Sequence, residues 1–465
     1  MTAGPLTGAI SRLDAAAAQP RWNILFVLMD DLGWRDLGPY GNRFIDTPNL
    51  NRFAEQSVRF TNAYAACPVC SPTRASIMTG KYPARLHLTD WIPGRKQWPT
   101  AKLLTPAFNQ FLPVEDKTLA EIVSPRGYRT AAIGKWHLGG EGHLPTDRGF
   151  SRNVAGTGAG SPPSYFGPLE LPGLKLEPGE FLTRRLTYEG IRFMTADKST
   201  PFFLYQAHFT VHIPLQAPED VIAKYRKRDT GDVNPVYCAM VESADDSMGQ
   251  LMKALDESGQ AGNTIVMFFS DNGGVRYQAT QPKPITNNSP LRAGKGHLFE
   301  GGIREPLMIR WPGITRPGTV IDTPVSSIDF LPTICEVVRS QTEKVDGRSL
   351  LPLLRGNKMP ERPLFWHYPH YSDQGGKPAG AVRLGDWKLI EFYEDGWLEL
   401  FNLAADPGEQ RNLVRRERAK AKMLHNLLAD WRSSVDAVMP SPNPQYDPAR
   451  SGEGLTGYEP RTPAA

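Results

Sequence analysis

Short runs of apolar residues, each followed by polar residues, recur along the chain. The run from Ile24 to Met29 is apolar without alternation, which is typical of a strand buried on both faces of a parallel sheet, so we predict a strand over 23–29. We predict three further buried strands, at 127–133, 201–207 and 264–270. The polar residues that follow these four strands are Asp30 and Asp31, the segment GKWHLGG at 134–140, His208 and His212, and Asp271 and Asn272.

Between the predicted strands the apolar residues take helical spacing. Thr47 and Pro48 are an N-cap residue and a first-turn proline, and apolar residues follow them at helical intervals. Residues 236–255 form a longer amphipathic pattern. The alternation of strands and helices predicts an α/β fold with a large, mainly parallel sheet between helices. Because such sheets bind ligands outside the carboxyl ends of their strands, we expect the functional site there.

The pattern changes near residue 360, where apolar and polar residues begin to alternate. We predict antiparallel strands at 381–384, 387–392 and 397–400. A final helix at 414–434 is predicted to carry on one face Met423, Leu424, Leu427, Leu428 and Trp431. The predicted units are therefore a flexible leader at 1–20, a catalytic α/β domain at 21–358, a small C-terminal α+β domain at 359–440 and a surface arm at 441–465.

Composition excludes several classes of protein. The 53 Lys and Arg residues against 49 Asp and Glu residues leave a net charge of +4, far from the basic surface of a nucleic-acid binder. The longest apolar run, Ile24 to Met29, is much shorter than the roughly 20 residues of a membrane span, so we expect no membrane span. No intact signal peptide is visible in 1–20, which leaves the cytoplasm and the periplasm open. Four cysteines are too few for a disulfide scaffold.

The segment CSPTRASIMT at 70–79 carries the strongest chemical signal. Ser71 and Pro72 are a cap residue and a first-turn proline, which predict a helix that opens directly after Cys70. The positive end of the helix dipole and Arg74 would then converge on an anion beside Cys70. Cys67 and Cys70 also form a CxxC motif, and a redox or zinc role stays open as an alternative, although no second pair or histidine cluster has ligand spacing.

The longer segment CSPTRASIMTGK at 70–81 resembles the signature of the type I, formylglycine-dependent sulfatases, which belong to the alkaline phosphatase superfamily. The segments NILFVLMDDLGW and LFNLAADPGEQRNL extend the resemblance over nearly the whole chain. It implies an arylsulfatase-like sulfuric ester hydrolase with an alkaline phosphatase-like mixed sheet. It further implies that a maturation enzyme converts Cys70 to formylglycine. The hydrated gem-diol would attack sulfur, form a covalent sulfo-enzyme intermediate and release inorganic sulfate.

The acidic pairs at two strand ends point to a metal site. Asp30 and Asp31 repel each other unless a cation lies between them, and Asp271 with Asn272 offers further oxygen ligands. Oxygen ligands favour Ca²⁺ or Mg²⁺ over zinc. The alternative is that each pair only caps a helix or turn. The resemblance assigns the metal, usually calcium, to Asp30, Asp31, Asp271, Asn272 and the modified Cys70.

Two further pairs of basic residues take their roles from the resemblance. Lys135 would bind the sulfate group, and His137 would remove a proton from the sulfated diol. His212 and Lys295 would bracket the leaving oxygen, with His212 as the proton donor. For His208 and His297, contact with the substrate and a structural role both stay open.

Two segments of the sequence bear on the identity of the substrate. The segment RLHLTDWIPG at 85–94 and the aromatic cluster Trp366, His367, Tyr368, His370 and Tyr371 either line a pocket mouth or pack between domains. A sulfated small molecule or oligosaccharide is expected, such as an aryl sulfate or a sulfate of galactose or N-acetylgalactosamine. The alternatives are a phosphate or phosphonate monoester hydrolase of the same superfamily, and a catalytically silent binding protein in which Cys70 is unmodified.

Overall fold

The computed structural model describes residues 21–276, 284–341, 344–450, 452–453 and 459–464, so the predicted leader at 1–20 lies outside the described residues. The strands, in chain order, are β1 (Asn23–Met29), β2 (Val58–Tyr64), β3 (Leu103–Leu104), β4 (Arg129–Gly134), β5 (Arg152–Val154), β6 (Leu169–Leu171), β7 (Leu174–Leu176), β8 (Phe202–Ala207), β9 (Thr264–Ser270), β10 (Arg304–Arg310), β11 (Val320–Ile321), β12 (Val325–Ser326), β13 (Leu364–Tyr368), β14 (Ala379–Leu384), β15 (Trp387–Phe392), β16 (Trp397–Asn402) and β17 (Ser441–Pro442).

The helices, in chain order, are α1 (Pro48–Glu55), α2 (Cys70–Thr79), α3 (Leu119–Val123), α4 (Leu182–Thr195), α5 (Glu219–Arg226), α6 (Pro235–Glu257), α7 (Glu300–Ile303), α8 (Phe330–Val337), α9 (Leu351–Leu354) and α10 (Arg418–Ser434). Helices α1, α4, α5 and α6 pack on one face of a large sheet, and α2, α3, α8 and α9 pack on the other. Within the described ranges, no helix is both long and apolar enough to cross a membrane.

The large sheet has nine strands in the order β11-β2-β10-β9-β1-β8-β4-β5, with β12 also paired to β2. Strand β10 pairs antiparallel with β2 and β9, whereas the other pairs among the described residues of this sheet are parallel. This mixed, mainly parallel sheet between two helical layers confirms the predicted α/β class.

Strand β1 shows why the unbroken apolar pattern predicts a central strand. Its alternate residues Leu25, Val27 and Met29 lie in the core beneath α6. Ile24, Phe26 and Leu28 lie in the core on the opposite face, because successive side chains of a strand point to opposite sides. Both faces are covered, so all of β1 is buried. The predicted bounds of β1 and β9 agree with the structure.

The C-terminal part of the chain forms a second, antiparallel sheet in the order β13-β14-β15-β16. Strands β14, β15 and β16 confirm the three predicted antiparallel strands, and β13 is a fourth strand that was not predicted. Helix α10 covers this sheet with Leu424, Leu428 and Trp431, and the Trp431 ring stacks on Phe365 at 4.7 Å between centroids. The prediction for Met423 is wrong. Its side chain is 43% exposed because it lies about 100° around the helix from Leu424.

Several contacts join the described residues beyond 440 to the rest of the protein. Strand β17 pairs with β3, and Ala464 forms an isolated parallel bridge with Asn412. Between these two contacts along the chain, Glu459 pairs with Arg276 and Arg292, which lie in the loops after β9 and before β10 at the carboxyl edge of the large sheet.

Residues from distant parts of the chain lie together at the carboxyl edge of the large sheet. The four neighbouring strands β9, β1, β8 and β4 end level with one another, and backbone hydrogen bonds continue the ladder past their ends, from Asp271 to Met29 and from His208 to Leu28. Helix α2 follows β2, which runs parallel to them. Strand β10 runs in the opposite direction, so the loop that enters it also lies at this edge.

Candidate active site

The four strand ends bring the predicted polar residues together. Asp30 and Asp31 follow β1, and Asp271 and Asn272 follow the neighbouring β9. On the other side of β1, His208 and His212 follow β8, and Lys135 and His137 follow β4. Lys295 comes from the loop before α7 and β10, so the site is assembled from segments separated by up to 264 positions.

Cys70 lies in the first turn of α2 and is 2% exposed. The helix begins one residue earlier than expected, with Val69 at the N-cap position, and Ser71 does not cap it. The Ser71 hydroxyl instead accepts a hydrogen bond of 3.1 Å from the backbone N–H of Ile92. This contact places the segment around Ile92 against the first turn of α2.

His137 is held against Cys70. Its Nδ1 lies 3.3 Å from the Cys70 Sγ, and its Nε2 lies 2.6 Å from the carbonyl oxygen of Ile92. Since a carbonyl can only accept, Nε2 carries the proton and Nδ1 is the acceptor toward residue 70. Burial lowers the pKa of His137 well below its usual value, and the nearby Lys135 ammonium lowers it further. His137 is therefore neutral, with the lone pair of Nδ1 directed at residue 70.

Glycine 160 lies directly behind this imidazole. A Cβ atom at that position would come within 2.6 Å of the His137 Cε1, so only glycine leaves room for the ring. His137 also has a left-handed backbone, with φ of 59°, and Asp31 has φ of 61°. Backbone strain of this kind persists where surrounding contacts hold it, and here it occurs at two residues of the same site.

Arg74 joins Cys70 to the acidic strand ends. Its Nε donates to Asp271 Oδ2 at 2.8 Å, and its Nη1 donates to the Lys135 carbonyl oxygen at 2.9 Å. Lys135 Nζ donates to Asp30 Oδ2 at 2.6 Å. These charged side chains are fully buried, so each depends on its partners for compensation of charge. Burial and the Asp271 carboxylate raise the pKa of Asp30 well above its usual value.

Asp31 has a separate set of partners. Lys295 Nζ lies 2.7 Å from one Asp31 oxygen, and Asn272 Nδ2 donates to it at 2.7 Å. Burial alone would raise the pKa of Asp31, but the Lys295 ammonium holds it below its usual value. His212 Nε2 lies 3.6 Å from Asp31, while His212 Nδ1 donates to the carbonyl oxygen of Ile213. The Nε2 lone pair therefore faces a carboxylate.

The donor set of this site fits a divalent cation. Ligand atoms of Asp30, Asp31 and His212 lie within 4.8 Å of one another. Among the described residues, Asp30 Oδ1 and Asn272 Oδ1 are buried without a hydrogen-bond partner. Buried oxygens of this kind are normally satisfied, so these two have free acceptor capacity for a ligand. Carboxylate and amide oxygens in this number are ligands for Ca²⁺ or Mg²⁺.

The structure gives the remaining histidines structural contacts. His208 is fully buried, and its Nε2 lies 2.8 Å from the Ser247 hydroxyl on α6. His297 Nε2 lies 2.9 Å from the carbonyl oxygen of Gln374. Neither has a hydrogen bond to Cys70 or to the carboxylates among the contacts of the described residues.

The aromatic cluster is buried, and Trp366 and Tyr368 within it pack against residues of the large sheet. All five of its side chains are buried: Trp366, His367, Tyr368, His370 and Tyr371. Tyr368 donates to Asp90 at 3.0 Å, and His370 Nε2 lies 2.8 Å from the Thr89 hydroxyl. The segment 85–94 is thus fixed to the second sheet by buried polar contacts, with its later residues close to His137.

Two buried tyrosines that no sequence pattern predicted as site residues contact the backbone of the segments that carry the site. The Tyr165 hydroxyl lies 2.7 Å from the carbonyl oxygen of Phe209 and 2.9 Å from that of His212. The Tyr237 hydroxyl lies 3.2 Å from the Asp31 carbonyl oxygen and also bonds Asp36. Neither tyrosine lies in a recognisable motif, and only the acidic Asp36 in DLGWRDLG gave a local signal.

Comparisons with known proteins agree with this geometry. Residues 22–340 match the family model Sulfatase, and residues 294–434 match the model N-sulphoglucosamine sulphohydrolase, C-terminal. The chain is 32% identical over 425 residues to N-acetylgalactosamine-6-sulfatase of Rattus norvegicus, covering 85% of this chain and 76% of that protein. It is 33% identical over 470 residues to arylsulfatase A of Bos taurus, covering 88% of this chain and 86% of that protein.

A solved structure shows the same similarity in three dimensions. The crystal structure of Ps i-CgsB has a TM-score of 0.77 and 29% sequence identity, and the match covers 93% of this chain and 96% of that chain. Ps i-CgsB has also been solved in complex with k-i-k-neocarrahexaose. The family model spans well over half of the chain, the sheet and the site geometry agree with it, and the chain therefore belongs to the sulfatase family and is a sulfuric ester hydrolase.

Proposed function

We propose that this sulfatase hydrolyses sulfate monoesters of carbohydrates with a formylglycine that a maturation enzyme makes from Cys70. The observation that carries the proposal is the position of Cys70. Its side chain lies at the start of α2, beside a neutral histidine and a buried group of three basic and three acidic residues. The hydrated aldehyde of formylglycine supplies a hydroxyl that can attack sulfur and a second one that can expel sulfate.

The charges around Cys70 fit a sulfate ester. The ester sulfate is an anion, and the transition state places more negative charge on the leaving oxygen. Arg74, Lys135 and Lys295 are fixed by carboxylates before the substrate arrives, so they need no reorganisation during the reaction. A divalent cation held by Asp30, Asp31, Asp271 and Asn272 would supply further positive charge on the same side.

The two histidines have different positions, which support different roles. His137 lies next to residue 70 with a bare Nδ1, which suits removal of a proton from that residue after sulfur transfer. His212 lies on the far side of Asp31 with its Nε2 turned to the carboxylates. In this role His212 must carry a proton on Nε2 before it donates one to the leaving oxygen. Burial lowers the pKa of His212 well below its usual value, and the Asp31 carboxylate opposes that shift.

We therefore expect the two alanine variants to differ in their dependence on the leaving group. His212→Ala should slow hydrolysis of a sugar sulfate by about 10² to 10⁴-fold, because general acid catalysis is lost, and should slow 4-nitrophenyl sulfate much less. His137→Ala should slow both substrates alike and leave sulfate attached to residue 70. Steady-state rates and mass spectrometry of the quenched enzyme measure both effects. Equal losses on both substrates for His212→Ala, with no trapped sulfate in His137→Ala, would contradict these roles.

The relatives support a sulfated sugar as the substrate, and the name of one of them favours an N-acetylgalactosamine 6-sulfate. Two of the similar proteins are named for N-acetylgalactosamine 6-sulfate and for aryl sulfates, and a third was solved with a neocarrahexaose. Because the aromatic cluster is buried, we expect polar residues of the segment 85–98 and of the loop near Gln374 to contact the sugar, with the exposed Lys96 and Gln97 among them.

A substrate panel tests this proposal. The panel contains the 6-sulfates of galactose, N-acetylgalactosamine and N-acetylglucosamine, 4-nitrophenyl sulfate and 4-nitrophenyl phenylphosphonate. We expect release of inorganic sulfate from the galacto-configured esters to have the largest kcat/KM, measured by ion chromatography. Faster turnover of the phosphonate would favour a phosphonate monoester hydrolase. Tight binding of the sulfates without turnover would favour the silent binding protein.

A further inference from the structure

Two loops of the site are in close backbone contact. One follows β9 and carries Asp271 and Asn272, and the other, residues 292–302, carries Lys295. The backbone N–H of Lys295 donates to the carbonyl oxygen of Gly274 at 3.2 Å. A Cβ at Gly294 would come within 2.4 Å of that same oxygen, so the close approach requires glycine. The position of Lys295 therefore depends on the position of the loop after β9.

The carboxylate of Glu459, near the end of the chain, bridges these two loops. Arg276, on the loop after β9, donates from Nη1 to Glu459 Oε2 at 3.1 Å. Arg292, at the start of the Lys295 loop, donates from Nε to Glu459 Oε1 at 3.2 Å. Each oxygen of one carboxylate thus holds one loop. Without it, two guanidinium groups would face each other with less compensation of charge.

Arg292 is held in place by several further contacts, which fix its end of the bridge. Its side chain is 6% exposed and its guanidinium lies 3.7 Å from the centre of the Phe299 ring. It also contacts Glu399 Oε2 at 3.3 Å and the Thr462 hydroxyl at 2.6 Å. The backbone N–H of Thr462 donates to Glu399 at 2.9 Å. Glu459 and Thr462 are therefore both bound to the body of the protein through the buried Arg292.

We propose that Glu459 is a positioning residue for the sulfatase reaction. Its carboxylate fixes the loop of Lys295 relative to the loop of Asp271 and Asn272, and so sets the contact of the Lys295 ammonium with Asp31. This inference rests on the proposed function, because it assumes that Lys295 acts on the sulfate ester. Among the contacts of the described residues, Glu459 has none to Lys295 or to the carboxylates of the site, so it acts through the two arginines.

The test compares Glu459→Gln with a matched control, Glu453→Gln. Glu453 lies in the same segment and pairs with Arg450 at 2.8 Å, but that pair is exposed and contacts neither loop. With the best ester of the panel as substrate, Glu459→Gln should lower kcat/KM by about 10-fold to 100-fold, the usual effect of losing a group that orients a site residue. Glu453→Gln should leave kcat/KM and Tm unchanged. Glu459→Asp keeps the charge but has a shorter side chain, and should recover part of the loss.

A double-mutant cycle with Lys295→Ala distinguishes positioning from a general loss of structure. If Glu459 acts by placing Lys295, then Glu459→Gln should have little further effect on kcat/KM in the Lys295→Ala background. Additive losses in the cycle, or a Glu459→Gln variant as active as Glu453→Gln, would overturn the inference. A wild-type enzyme that releases no sulfate from the panel would instead overturn the proposed function and this inference with it.

Discussion

Replacement of Cys70 by alanine is expected to remove sulfate release, with a loss of at least about 10⁴-fold in kcat, because loss of a nucleophile leaves only binding and electrostatic effects. The fold should be kept, since the change deletes one sulfur atom at a site that is 2% exposed. We expect a loss of about 1 kcal/mol in the free energy of unfolding, measured by urea denaturation. Mass spectrometry of active wild-type enzyme should find an aldehyde in place of the thiol at position 70.

Cys67→Ala is the matched control for this experiment. Cys67 is equally buried, and its sulfur lies 3.9 Å from the Thr89 carbonyl oxygen. It should keep most of its activity. If both cysteine variants were inactive to the same degree, the redox or zinc interpretation of the CxxC motif would gain support. An intact thiol at position 70 in fully active enzyme would refute the formylglycine proposal.

Removal of the divalent cation is expected to have the second largest effect. Chelation should abolish turnover, and Ca²⁺ or Mg²⁺ should restore it, because the carboxylates of Asp30, Asp31 and Asp271 lie together in a buried site. Binding should also stabilise the fold. A cation at about 100 times its Kd adds roughly 2.7 kcal/mol to the free energy of unfolding, which differential scanning fluorimetry would detect as a higher Tm.

Asp30→Asn and Asp271→Asn should each lose this cation-dependent rise in Tm together with activity. The control is Asp245→Asn. Asp245 is a buried carboxylate that accepts hydrogen bonds from Asn49 and Leu50, away from the site. Its loss should lower Tm but leave the response to Ca²⁺ intact. Full activity of chelated enzyme, or a Ca²⁺ response that survives in both site variants, would contradict the metal assignment.

The parts of the fold that the sequence predicts well are those fixed by local patterns. Strands β1 and β9 have continuous apolar interiors with polar residues only at their ends, and burial on both faces makes this pattern easy to predict, so their predicted bounds agree with the structure. The start of α2 was misjudged for the opposite reason. Ser71 has the side chain of a cap residue, but the backbone of Ile92, twenty-one positions later, uses its hydroxyl.

The candidate site shows the same difference between features set by local sequence patterns and features set by long-range contacts. The residues at strand ends could be grouped in advance because parallel strands end at one edge of a sheet. The contacts of Tyr165, Tyr237 and Glu459 could not be predicted from the sequence. They join segments 44 to 206 positions apart, and no periodic pattern in the sequence marks them. The buried aromatic cluster shows a related limit. Its composition is compatible both with a sugar pocket and with a packed interface. The buried hydrogen bonds of Tyr368 and His370 in the structure identify it as packing.

The central place of β1 has a consequence for how the protein is made. Its neighbours β8 and β9 lie about 180 and 240 positions later in the chain, as the pairs Ile24 with Phe203 and Ile24 with Ile265 show. At a synthesis rate of 5 to 20 residues per second, the apolar segment NILFVLM stays without its sheet partners for roughly 10 to 40 seconds. An unpaired strand of this composition is prone to aggregate. We therefore expect the yield of soluble protein from a heterologous host to rise when synthesis is slowed or when chaperones that bind apolar segments are supplied.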